Sequence, residues 1–148
     1  MIAPLLFALL LGTVTIGVAV YHRNSVNNAV REAARFGATV PKDECNVSAN
    51  CSGMTWANMV RSVAVSRSDG QLTTSNVCVA LVSGDGAAPV ALDANHTTAG
   101  GTTPCYNDQS ADTGNRVQVS GTRSDGVQFV FFSTTISGTS KGTAHFDQ

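Results

Sequence analysis

"YHRNSVNNAVREAARFGATV", residues 21–40, follows directly on "MIAPLLFALLLGTVTIGVAV", residues 1–20, which carries no charged side chain. From Val18 to Phe36 there is neither Gly nor Pro, so nothing that stops a helix separates the apolar stretch from the polar one. Pro4 falls in the first turn, where its missing N–H costs little. Gly37 followed by Pro41 supplies a stop. The whole stretch reads as one helix over about 2–37, roughly 50 Å long at 1.5 Å per residue.

The two halves of that helix differ in kind. Residues 1–20 are long enough to cross a hydrocarbon core, which needs about 20 apolar residues. A cleaved secretory signal normally has a charged leading region and a small-residue cleavage site; no charge precedes Ile2, and "VAV" before Tyr21 is a poor site. Further on, Val26, Val30, Ala33 and Gly37 recur at helical spacing as one narrow apolar stripe, beside a polar stripe of Arg23, Asn27, Arg31 and Arg35. Ala8 with Gly12, and Thr13 with Gly17, are small-residue pairs at i and i+4, the spacing that lets helices approach closely in an apolar medium. Ala8, Gly12, Thr13, Gly17, Val26, Val30 and Ala33 are thus the candidate helix-packing residues.

The bulk numbers bound the rest. A chain of 148 residues holds one domain and an appendage. A net charge of -1 gives no global basic field to draw the chain to nucleic acid or anionic lipid. Cys45, Cys51, Cys78 and Cys105 are an even set behind an apolar segment, which points to disulfides in an oxidising compartment. Structural zinc usually takes ligands two to four residues apart, unlike Cys45 and Cys51. Four cysteines allow three connectivities; sequence order favours Cys45–Cys51 and Cys78–Cys105. Counting Arg23, Arg31 and Arg35 alone would place the C-terminal side of the span in the cytoplasm. The cysteines place it outside.

These residues carry a family resemblance. "APLLFALLLGTVTIGVAVYHRNSVNNAVREAARFGAT" resembles the N-terminal helix of TadE-like pilins, the pseudopilins of tight-adherence (Tad/Flp-type) secretion systems, in which an apolar run leads into "…NAAREGARYAA". Asn28 to Phe36 is the matching stretch, and "STTISGTSKGTAHFDQ" resembles the family's final strand and acidic tail. The resemblance implies an inner-membrane precursor, extracted into an extracellular filament, with prepilin peptidase and pilus assembly machinery as partners. TadE-like precursors carry a basic leader and a Glu-Phe just before the apolar run. Met1 stands shortly after that position, so the glutamate's pairing with a neighbour's terminal amine falls to no residue of this sequence.

The expected division is 1–38 as membrane segment and filament core, and 39–148 as a disulfide-bonded extracellular head. In the head, Thr55 is a plausible N-cap for "WANMVRSVAVSR", giving a short helix over about 55–67. Trp56, Met59, Val60 and Val63 share the face that packs on a sheet. "RSDG" occurs at Arg67–Gly70, where Gly70 suits a helix end. It recurs at Arg123–Gly126, where Asp125-Gly126 signals a hairpin turn. Strands are expected at 75–83, 115–122, 127–134 and 135–145, with 84–114 a long turn-rich excursion cinched by Cys78–Cys105. The fold class is α+β, pilin-like, with an antiparallel sheet of about four strands.

No catalytic constellation emerges. His22, His96 and His145 lie far apart in sequence, and "SGDGAAP" and "TAGGTTP" lack the lysine of a phosphate loop. Asp108, Ser110 and Asp112 alternate like the first ligands of a calcium loop, but Val119 stands where the distal glutamate belongs. Asn46, Asn50 and Asn95 open glycosylation sequons that matter only in a glycosylating host. The expectation is a structural subunit of a Tad-type pilus, without enzyme activity or cofactor. It polymerises through its N-terminal helix with copies of itself or other pilins for surface attachment. The alternative is an anchored or secreted binding module acting through 84–114.

Overall fold

The computed structural model describes residues 3–40, 55–84, 90–95, 104–108, 114–128 and 133–146. Helix α1 is Ala3–Thr39 and α2 is Trp56–Arg67; a 3-10 turn at Thr74–Asn76 leads into β1, Val77–Ser83. Strands β2, Val90–Asn95, β3, Arg116–Gln128, and β4, Ser133–His145, complete a four-stranded sheet of order β2-β1-β3-β4. All neighbouring strands are antiparallel. The architecture is α+β: a long helix, a short helix and an antiparallel sheet, as the sequence predicts.

The C-terminal third of α1 is the centre of the core. Val26, Val30, Ala33 and Ala34 pack with Trp56, Ala57, Val60 and Ala64 of α2 and with Val77, Val79, Leu81, Val117 and Val119 of the sheet. Gly37 does not stop the helix. A Cβ there would lie 3.0 Å from Val60 Cγ2 and 3.1 Å from Val117 Cγ1, so the glycine serves close packing. Two carbonyls at the true helix end, of Gly37 and Val40, accept from Trp56 Nε1 at 3.3 and 3.0 Å, which satisfies groups a helix end leaves open.

Thr55 caps α2 as expected, its hydroxyl accepting from the Asn58 amide. At the other end the cap is Ser68, followed by two left-handed residues, Asp69 (φ 51°) and Gly70 (φ 75°). Asp69, rather than Gly70, takes the first position past the cap. The buried Ser68 hydroxyl donates to the Val65 carbonyl and accepts from the Leu72 amide, which fixes this corner.

Two strand expectations are corrected. The second "RSDG" makes no turn: β3 runs straight through it, with Asp125 opposite Ile136 and Gly126 opposite Thr135. The ladder continues to Gln128 opposite Ser133, and the connecting residues 129–132 lie outside the described residues. A turn at Asp125-Gly126 would set Phe132 opposite Val119, by counting back along the two strands. The observed register sets Gly142 there, where a Cβ would lie 2.8 Å from the Val30 carbonyl oxygen. Close approach of α1 to β4 thus demands this register over the local turn preference. Within 84–114, β2 pairs with β1 from Val79↔Asn95 to Ser83↔Val90. Its alternation of Val90, Leu92 and Ala94 was the available signal.

Candidate functional site

The N-terminal half of α1 has no counterpart in the core. Leu6, Phe7, Leu9, Leu10, Leu11, Val14, Ile16, Val18, Val20 and Tyr21 are each 51–67% exposed, and they point all round the helix. Full burial of one such side chain is worth about 1.5–3 kcal/mol. Ten of them left in water forgo a gain larger than the whole net stability of a small domain, about 5–15 kcal/mol. A helix apolar on every face belongs in a protein core or a membrane. By length and composition α1 is able to cross one.

The polar groups of this half are already satisfied. Thr13 Oγ1 donates to the Leu10 carbonyl at 2.9 Å, and Thr15 Oγ1 to those of Leu11 and Gly12. Hydroxyls bonded back onto their own helix can enter hydrocarbon without an open donor. A Cβ added at Gly12 or Gly17 would meet nothing within 4 Å, so neither glycine is needed for packing within the chain.

The seven candidate packing residues therefore separate into two groups. Ala8, Thr13 and Gly17 are exposed and Gly12 half-exposed, open to whatever surrounds the helix. Val26, Val30 and Ala33 are 0–2% exposed and already covered by the chain's own sheet and second helix. Between the groups and alongside the second, α1 is tied to the end of α2 and the corner after it by three polar contacts. His22 Nδ1 meets Gln71 Oε1, Ser25 Oγ donates to Asp69 Oδ2, and Glu32 pairs with Arg67 at 3.4 Å. His22 is thus a half-buried seam residue.

Residues 1–35 match the family model of TadE-like proteins. The similarity covers nearly all of α1 and none of the sheet. No curated protein and no solved structure matches the chain. TadE-like proteins are a structural, pilus-associated family, so the match points to a protein associated with the Tad pilus. The apolar half of α1 is consistent with a membrane or cell-surface location.

The sheet's far side carries the second feature. Ala80, Val82, Arg116 and Gln118 are fully buried on the face turned away from α1. The Cys78–Cys105 disulfide ties residues 104–108 to that face, Cα to Cα 5.8 Å. In the chain-entropy model closing a loop of this length contributes about 3.5 kcal/mol. Arg116 adds a clasp: its Nε lies 3.3 Å from Asp108 Oδ2, and its Nη1 donates to the Gly84 and Gly114 carbonyls. Tyr106 Oη donates to the Gly142 carbonyl at 3.0 Å and accepts from Thr143 Oγ1 at 2.6 Å, with Lys141 Nζ 5.0 Å from its ring centre. Burial pushes the Tyr106 phenol above its ordinary range, while the Thr143 hydrogen bond works against that.

Asp108, the first expected calcium ligand, is thereby engaged by Arg116. Ser110, Asp112, His96, Cys45 and Cys51 lie outside the described residues. Among the described residues no three His, Cys, Asp or Glu side chains gather as a metal site. Arg116 and Tyr106 were not singled out from the sequence, because nothing local marks an arginine or a tyrosine as buried.

Proposed function

We propose that this chain is a structural subunit of a Tad-type pilus. Residues 1–20 hold it in the inner membrane before assembly. They then pack against the same segment of other copies, or of other pilins, in an extracellular filament used for surface attachment. Prepilin peptidase and the pilus assembly machinery are the partners this reading requires. The observation that carries it is the exposed apolar half of α1, whose unbroken continuation is locked into the head by Val26, Val30, Ala33 and Ala34. A force or displacement applied at the apolar end reaches the head without a hinge.

Gly12→Leu tests the reading cleanly. The site is open within the chain, and leucine keeps the segment apolar, so insertion and head folding should survive. Helices that need a glycine for close approach would be pushed apart. Sheared filaments from cells carrying Gly12→Leu should fall to a small fraction of wild type, with the chain retained in the membrane. Filament yield at the wild-type level would sink the proposal. The competing reading, a monomeric binding module, needs 84–114 as a free surface. Among the described residues there, Cys105, Tyr106 and Asp108 are all tied to the sheet.

A further inference from the structure

A cavity of about 300 Å³ opens between α1 and the distal part of the β3–β4 ladder. At one end its lining is apolar, with Ile16 and Val20 from α1 and Ile136 from β4. At the other end stand Arg23 and Asn27 from α1 and Arg123 from β3. The cavity persists because β4 has glycine here: a Cβ on Gly138 would meet nothing within 4 Å, and Ile136 stays 56% exposed. One larger side chain could have closed the gap.

The position of the cavity along α1 is as informative as its lining. It straddles the junction where the exposed apolar half gives way to the first charged residue of the chain, Arg23. Exposed Tyr21 sits at the same level, as interfacial aromatics do in membrane proteins. With the apolar segment in a bilayer, the cavity stands at the end of the span, where head groups meet the protein.

We propose that this cavity binds one anionic phospholipid, its phosphate against Arg23 and Arg123 and its first methylenes along Ile16, Val20 and Ile136. Guanidinium forks match phosphate oxygens, and two of them at one end of an apolar groove supply the charge complement. Size separates this occupant from a second copy of α1. A cavity near the lower end of the ligand-pocket range, about 300–1,000 Å³, takes a head group and the start of a chain. A helix about 10–12 Å across does not fit within it. The site also gives a role to Arg23, one of the three arginines that charge counting alone would put on the cytoplasmic side.

The inference rests on the reading that residues 1–20 occupy a membrane, and the experiment separates the two. The full chain is expressed in membranes, tested for resistance to alkaline carbonate extraction, and then released in mild detergent. Native mass spectrometry follows, with added phosphatidylglycerol or phosphatidylcholine. One phosphatidylglycerol should remain per chain, in preference to phosphatidylcholine. Arg23→Gln and Arg123→Gln should each lower its retention by about tenfold, the size of a lost charged hydrogen bond. Gly138→Leu, which fills the cavity and leaves both arginines, should expel it. Circular dichroism and an intact Cys78–Cys105 bond establish that each variant is folded. Carbonate-resistant chain that retains both lipids equally, or whose folded variants retain phosphatidylglycerol unchanged, overturns the lipid site and leaves the membrane reading standing. Chain washed out by carbonate overturns both.

Discussion

Gly142 shows how much of this fold depends on a single absent side chain. Its Cα faces the backbone of α1, and an added Cβ would lie 2.8 Å from the Val30 carbonyl oxygen and 3.1 Å from Arg31 Cα. Those are main-chain atoms in the middle of a helix, so relief requires α1 to move off the sheet. Overpacking of this kind costs about 1–3 kcal/mol. Gly142→Ala should lower the denaturation midpoint accordingly without changing the slope, whereas Gly12→Ala, with open space around it, should not. Equal midpoints for both variants in a denaturant titration would refute the close approach.

Tyr106 makes a second prediction at this scale. Burial raises its phenol above the value of an unfolded tyrosine, about 10. The neutral form is therefore favoured by folding. Its contribution is complete below the unfolded value and is lost as pH rises through the folded one. Thermal stability should be insensitive to this group at neutral pH and fall above about pH 10. Tyr106→Phe should lose the bonds to Gly142 and Thr143 at every pH and show a shallower alkaline fall. Melting curves across pH, with ultraviolet titration of the phenolate, measure both; an unchanged alkaline slope in Tyr106→Phe would rule the phenol out as its cause.

Among the elements, legibility in the sequence followed the range of the forces. Helix α1 was readable because its signals are local: an apolar run, compatible residues and no breaker. Helix α2 was readable for the same reason, down to its Thr55 cap. The β3–β4 ladder was not. "RSDG" has one composition and two structures here, a left-handed corner after α2 and thirteen-residue strand interior in β3. What decides the second is the helix lying across the sheet, which needs Gly142 and not Phe132 beside Val30. No window of a few residues contains that information. The candidate packing residues divide in the same way. Ala8, Gly12, Thr13 and Gly17 stand out by type and spacing in an apolar run and are open to neighbours. Val26, Val30 and Ala33 show the same periodicity, yet periodicity marks a buried face without saying whether the chain's own sheet or another chain buries it.

At the scale of the molecule, the chain exposes more surface than a compact monomer should. Its accessible area is 8975 Å², against about 7,100 Å² for a compact protein of this mass. The difference is roughly twice the area, about 800 Å², that one partner contributes to a standard protein interface. The exposed apolar part of α1 is the part that must be covered, while the rest of the same helix is core. The functional division we infer therefore falls inside α1, near Tyr21, and not at its end. Two truncations decide this. A chain beginning at Pro41 lacks Val26, Ala29, Val30, Ala33 and Ala34, all 0–2% exposed. It would leave one face of the sheet and of α2 bare. Two buried valines alone represent about 3–6 kcal/mol, comparable to the whole net stability of a small domain, so this chain should show no cooperative unfolding. A chain beginning at Tyr21 keeps every one of those contacts and discards only the exposed apolar segment. It should be soluble and monomeric, should melt cooperatively and should form no filament. Cooperative melting of the Pro41 chain would show that the head has a core of its own, and α1 would then be a detachable stalk.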